Sequence, residues 1–152
     1  MNKYSLNILI VDDDEDDSLT LADAIQSVLP SCNLHFEGDG IAALRFIKTK
    51  IPPDLVFLDL NLPLKNGMDC LKEISGLNLL PDTPIVIYST SGSIEEIDLC
   101  YRYGAMFYIV KPTSDKELTK LITRAISILG KPKSERVDKT HFVLTEGSTN
   151  LS

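Results

Sequence analysis

Short apolar runs alternate with longer amphipathic ones along this chain. LNILIV (6–11), LHF (34–36), LVFLDL (55–60), PIVIYS (84–89) and MFYIV (106–110) have the length of strands. Three of them are apolar without alternation, as strands covered on both faces are. Between them, apolar positions recur every three or four residues. Leu19, Ala22, Ile25 and Leu29 predict a first helix that ends at Pro30. Ile41, Leu44 and Ile47 predict a second after Gly38-Asp39-Gly40, and Met68, Leu71 and Ile74 a third started by Gly67. Ile94, Ile97 and Tyr101, with Leu99 as a further candidate, predict a fourth. Leu118, Leu121, Ile122, Ala125 and Leu129 predict a fifth. Five strand–helix units in succession predict an α/β fold around a parallel sheet.

Composition narrows the class. At 152 residues, 43% hydrophobic and 24% charged, the chain fits one compact domain with a substantial core, since a chain of this length buries about 70% of its unfolded surface. A formal charge of −7 argues against direct nucleic-acid binding, which gathers Lys and Arg on one face. Cys32, Cys70 and Cys100 form no CxxC pair, and His35 and His141 lie near none of them. Neither a zinc site nor a disulfide framework is expected, and a reducing cytoplasm is. The start, MNKYSLNILIV, runs into acids rather than a small-residue cleavage site. No run approaches the ~18 apolar residues of a membrane span, so no membrane insertion is expected.

Chemistry is expected where the carboxyl ends of parallel strands meet the following loops. The stretch ILIVDDDEDD (8–17) ends the first strand in Asp12-Asp13; the third ends in Asp59, the fourth in Ser89-Thr90 and the fifth in Lys111-Pro112. Three carboxylates, a hydroxyl and an ammonium would converge on one rim. Carboxylates this close share a proton or bind a cation, and oxygen ligands with open positions suit Mg²⁺. A carboxylate is also a nucleophile towards phosphorus, with the metal, the lysine and the hydroxyl each taking a phosphoryl oxygen.

With ILIVDD, DLNLPLKNG (59–67), Ser89 and YIVKP (108–112) in order, each at a strand end, the chain resembles the receiver domain of two-component response regulators, similar to the chemotaxis single-domain type. The resemblance covers residues 5–130. It implies a flavodoxin-like, doubly wound, five-stranded parallel sheet of order 2-1-3-4-5 with five helices. It assigns Asp59 as phosphoacceptor, Asp13 as direct Mg²⁺ ligand, Asp12 as a ligand mostly through water, and the Asn61 backbone carbonyl as a further one. Ser89 is the hydroxyl that moves to the phosphoryl group, Lys111 the phosphate-pairing lysine and Tyr108 the aromatic that turns inward. Pro112 follows a cis peptide that aims Lys111, and Pro63 and Gly67 shape the loop after the acceptor. Thr90 and Thr113 depart from the family's usual Ala and Phe, bearing on phosphate lifetime and output surface.

Each residue alone has a plainer reading: Asp59 as a turn former, Lys111 as a solvated loop lysine, Tyr108 as a packed strand aromatic, Ser89 as a cap. Only their joint order favours the receiver. Asp14, Glu15, Asp16 and Asp17 are read as partners of the first helix dipole, ~0.3–1 kcal/mol each. The row Lys116, Lys120, Arg124 is read as a solvated helix face. The alternative is a haloacid-dehalogenase-type phosphatase with Asp12 as nucleophile, from Asp12-x-Asp14. It lacks the acidic pair needed after the lysine and leaves DLNLPLKNG without a role. A flavodoxin is disfavoured because acids in the first loop repel the phosphate seated there.

Residues 131–152, KPKSERVDKTHFVLTEGSTNLS, are expected to be a C-terminal tail without an effector domain. Its apolar patch HFVL would add an edge strand or pack on the body. The resulting expectation is a cytoplasmic, single-domain regulator and not a turnover enzyme. It would take a phosphoryl group from a sensor histidine kinase or phosphotransfer protein and pass the signal to a downstream protein partner, through a surface near Tyr101 and Tyr108, or relay the group onward.

Overall fold

A computed structural model describes residues 5–131 and 136–146. Its elements run β1 (Asn7–Val11), α1 (Glu15–Val28), β2 (Asn33–Glu37), α2 (Gly40–Thr49), β3 (Leu55–Leu58), α3 (Gly67–Gly76), β4 (Ile85–Ser89), α4 (Ile94–Arg102), β5 (Phe107–Val110), α5 (Asp115–Ile126) and β6 (Val143–Leu144). The strands form one parallel sheet in the order β2-β1-β3-β4-β5-β6. The five-strand expectation is therefore corrected to six, while the order of the first five holds. The sixth strand comes from the tail. HFVL both pairs and packs, with Val143–Leu144 joining the β5 edge and Phe142 wholly buried.

The inner strands are buried on both faces, which is why they show no alternation. Ile8, Ile10, Leu55, Phe57, Val86, Tyr88, Phe107 and Ile109 pack beneath α1 and α5. Leu9, Val11, Val56, Leu58, Ile85, Ile87 and Tyr108 pack beneath α2, α3 and α4. Helix phases differ from the sequence reading at three positions. Leu19, Ile41 and Ile94 are exposed, and Leu21, Ala43 and Cys100 take the inward positions. Small or sulfur side chains fill a close helix–sheet contact as well as larger aliphatics do, so an apolar count alone misplaces the stripe. All three cysteines are free.

Each helix opens on a side-chain cap: Asp14, Asp39, Asn66, Ser93 and Ser114 accept from the amides of Asp17, Ala42, Asp69, Glu96 and Glu117. A cap of this kind contributes about 1 kcal/mol and fixes where the preceding loop ends. Those loops carry the site. Among the described residues no helix is long and apolar enough to cross a membrane.

The described part of the tail crosses α4, β5 and the α5 start. The Phe142 carbonyl accepts from the Tyr108 amide at 3.0 Å. Its ring meets Tyr101 edge-on at 5.1 Å and Tyr108 at 6.3 Å. Lys139 pairs with Asp98, and the Glu146 carboxylate accepts from the Thr113 amide and hydroxyl. Thr113, the departure after Lys-Pro, thus anchors the tail. Residues 132–135 and 147–152, also within the expected tail, lie outside the described residues.

Candidate phosphoacceptor and metal site

The sheet register assembles the site. Val11 lies opposite Leu58, and the Asp59 amide donates to the Val11 carbonyl at 2.9 Å, so Asp12 and Asp59 leave adjacent strands side by side. Ser89 lies opposite Val110, and the Lys111 amide donates to the Ser89 carbonyl at 2.8 Å, which brings the lysine to the same rim. Carboxylate oxygens of Asp12, Asp13 and Asp59 come within 4.8 Å of one another. Asp12 and Asp59 are buried and Asp13 is exposed. Oxygen donors of this charge, one open to solvent, fit a hard divalent cation that keeps part of its water.

Hydrogen bonds orient every buried oxygen. Asp12 Oδ1 accepts from the Asp14 amide at 2.9 Å, and Asp59 Oδ1 from the Asn61 amide at 3.1 Å. Their Oδ2 atoms accept from Lys111 Nζ at 2.9 and 3.0 Å, and Asp17 Oδ2 accepts from it at 2.8 Å. The ammonium also lies 5.0 Å from the centroid of the Tyr88 ring. Burial pushes the Asp12 carboxyl up to about 6, although Lys111 and the Asp14 amide pull it down. Burial opposes the charge on Lys111 too, but its three carboxylates outweigh that and hold it above its ordinary range. A proton and a cation therefore compete for Asp12.

The loop after Asp59 is held by close approach. A Cβ on Gly67 would stand 2.0 Å from the Asp59 carbonyl oxygen, and the Gly67 amide donates to the Leu60 carbonyl at 2.9 Å. The Pro63 carbonyl accepts from the amides of Lys65 at 2.7 Å and Gly40 at 3.4 Å, closing a tight turn on Leu64 at φ 66°. Ser89 is wholly buried, and its Oγ accepts from the Ser91 amide at 3.3 Å. Tyr108 is also wholly buried. Its hydroxyl donates to the Ser91 carbonyl at 2.7 Å and touches the Ser89 hydroxyl, and burial pushes its pKa up to about 12.

One expectation is corrected here. Among the described residues no peptide bond is cis, so Lys111–Pro112 is trans. The two proline isomers differ by only about 0.5–1 kcal/mol, and three carboxylates with the Tyr88 ring aim the ammonium without that device. Tyr108 lies inward and wholly buried in this structure, with the Phe142 ring edge-on at 6.3 Å. Sequence reasoning also passed over Asp17, Tyr88 and Gly40. Asp17 and Tyr88 turn on contacts across the sheet, but the Asp39-Gly40 helix start was visible.

The response regulator receiver domain family matches residues 8–123, and the chain belongs to that family. It is 30% identical over 121 residues to the response regulator Rcp1 of Synechocystis, covering 76% of this chain and 82% of that protein. It is 35% identical over 126 residues to the transcriptional regulatory protein CpxR of Klebsiella pneumoniae, covering 83% of this chain but 49% of CpxR. Against LuxO of Vibrio vulnificus it spans only 22% of the relative's length. The phosphorylated cyanobacterial phytochrome response regulator RcpA superposes with a TM-score of 0.76 at 25% identity, over 84% of this chain and 96% of that one. The Mn²⁺-bound form of Rcp1 superposes at 0.74 with 28% identity, over 83% and 96%. The chain is a signalling domain of the flavodoxin-like α/β class whose Asp12, Asp13 and Asp59 carboxylates fit a divalent cation, and the dehalogenase-type phosphatase is set aside.

Proposed function

We propose that this domain takes a phosphoryl group from a phosphohistidine of a sensor kinase or phosphotransfer protein onto Asp59 in the cytoplasm, and signals to a downstream protein. The observation that carries this is the convergence of the Asp12, Asp13 and Asp59 oxygens within 4.8 Å, with Lys111 Nζ on Asp12 and Asp59 at 2.9 and 3.0 Å. A nucleophilic carboxylate, a cation seat and a fixed ammonium are what transfer to an aspartate needs.

An Asp59 oxygen attacks phosphorus as the bond to the imidazole nitrogen breaks. Lys111 exchanges carboxylate contacts for a phosphoryl oxygen, and the Ser89 hydroxyl donates to another. Asp12, Asp13, Asp59 and the Asn61 carbonyl would hold Mg²⁺. When bound, the ion supplies charge neutralisation for the phosphoryl oxygens. Asp12 must then release any proton that burial leaves on it.

The readout is a population shift. Ser89 already contacts Tyr108, which holds the Ser91 carbonyl and lies under Phe142. A pull on Ser89 therefore reaches α4, the β5 edge and the tail through buried contacts. Autodephosphorylation would be the only turnover. Incubation with acetyl phosphate tests the reading. A gain of one phosphoryl group that requires Mg²⁺ and vanishes in Asp59→Asn is expected; labelling that survives in Asp59→Asn overturns it.

A further inference from the structure

Asp17 lies on the first turn of α1, outside the trio Asp12, Asp13 and Asp59, yet its carboxylate makes the shortest contact to Lys111, at 2.8 Å. An ammonium has three protons to donate. Here all three have a carboxylate acceptor: Asp12, Asp59 and Asp17. Two of those acceptors belong to the metal seat, so Lys111 and a divalent cation draw on the same two carboxylates, Asp12 and Asp59, and repel each other. With only those two partners, a lysine side chain 8% exposed would lose its counter-charges as the cation bound.

Asp17 removes that conflict. Its side chain is 41% exposed, against 1% for Asp12 and 6% for Asp59, so water solvates it when contacts rearrange. It is also held to α1 rather than to a strand end, so drawing Asp12 and Asp59 towards a cation leaves it in place. The Asp17 amide donates to the Asp14 cap at 3.0 Å, which fixes this turn of helix. The ammonium also rests 5.0 Å from the Tyr88 ring centroid. Glu15 and Asp16 share the helix start without any contact to Lys111.

We infer that Asp17 is a positioning residue that retains Lys111 at the rim when Asp12 and Asp59 engage a divalent cation, and so lets metal and lysine occupy the site together. The inference deepens the proposed function and rests on it. It separates Asp17 from its acidic neighbours, which act on the cation only through the general negative field.

Calorimetric titration of the full chain with Mg²⁺ alone, without phosphodonor, tests it. Asp17→Asn is expected to weaken Mg²⁺ binding on the order of tenfold, and Asp16→Asn, with the same charge change, by at most ~threefold. Asp17→Glu restores binding to within ~twofold of the wild type. In a Lys111→Met background, Asp17→Asn has no more effect than Asp16→Asn, because the coupling runs through the lysine. Equal losses in Asp17→Asn and Asp16→Asn, tighter binding in Asp17→Asn, or an undiminished Asp17 effect without Lys111 overturn the role. Absence of Mg²⁺ binding in the wild type instead overturns the metal seat itself, so the two failures are told apart.

Discussion

Replacing Phe142 by alanine removes the side chain on which docking of the tail depends. Phe142 is wholly buried between Tyr101 and Tyr108, and its backbone carbonyl holds the Tyr108 amide at 3.0 Å. Truncating a buried phenylalanine costs about 3–5 kcal/mol when the surroundings stay in place, and each edge-on aromatic pair contributes about 0.5–1.5 kcal/mol within such totals. The tail's other apolar anchors are the buried Leu144 and the partly buried Val137 and Val143. The Lys139–Asp98 ion pair has side chains 55% and 33% exposed, which puts it in the range of about 0–1 kcal/mol. The other contacts, the Glu146–Thr113 hydrogen bonds and the Arg136 guanidinium 3.8 Å from the Tyr101 ring centroid among them, lie on partly or fully exposed groups and are weaker than a wholly buried phenylalanine. The loss in Phe142→Ala should therefore make up most of that of a chain ending at residue 135, and lie near 3–5 kcal/mol, a large part of a typical domain's ~5–15 kcal/mol. Urea unfolding of both chains measures this, and hydrogen exchange at the Tyr108 amide shows whether its bond to the tail has opened. A loss below ~1 kcal/mol with the Tyr108 amide still protected would refute the account of how the tail is held.

Gly67→Ala would set a methyl 2.0 Å from the Asp59 carbonyl and 2.7 Å from the Leu60 Cα. It should cost roughly 2 kcal/mol or more by urea unfolding and reduce acetyl phosphate labelling, as the α3 start or the acceptor must move. Lys111→Met leaves the carboxylates of Asp12 and Asp59 buried without their cation and should cost about 3–5 kcal/mol at neutral pH. Mg²⁺ should then raise the melting temperature more in this variant than in the wild type; an equal rise would count against a shared seat. Side-chain hydrogen bonds from Lys48 and Lys65 hold the Glu73 carboxyl down at about 2, below its ordinary 4.5. A lowered acid stabilises the fold above its unfolded value and loses that contribution as pH falls through the folded one. Wild type and Glu73→Gln should therefore differ in stability above pH 4.5 and converge towards pH 2, as followed by acid unfolding.

The alternation of short apolar runs with amphipathic ones is enough to place the first five strands: two-sided burial of β1, β3 and β4 leaves a direct trace in composition, while the half-exposed edge strand β2 shows only in the short run LHF. Asp12, Asp13, Asp59, Ser89 and Lys111 were legible for a related reason: they stand at strand ends, and register brings strand ends together. Contacts that depend on side-chain reach were not legible. Asp17 reads as one more acid on a helix dipole until Lys111, 94 positions away, is seen to bond it. Tyr88 reads as a strand aromatic until the ammonium lies over it. The tail's HFVL showed an apolar patch, but a two-residue strand is too short to leave a periodicity. The edge-on contact of Phe142 with Tyr108 comes from that same patch and was not legible either.

The central claim is that Asp59 carries the phosphoryl group, and the covalent adduct itself tests it most directly. Borohydride reduces an aspartyl phosphate to homoserine, marking the acceptor at its own position. After treatment with acetyl phosphate, Mg²⁺ and borohydride, peptide mass mapping should find homoserine at residue 59 and nowhere else. Homoserine at residue 12 or 13 with residue 59 intact would contradict the claim.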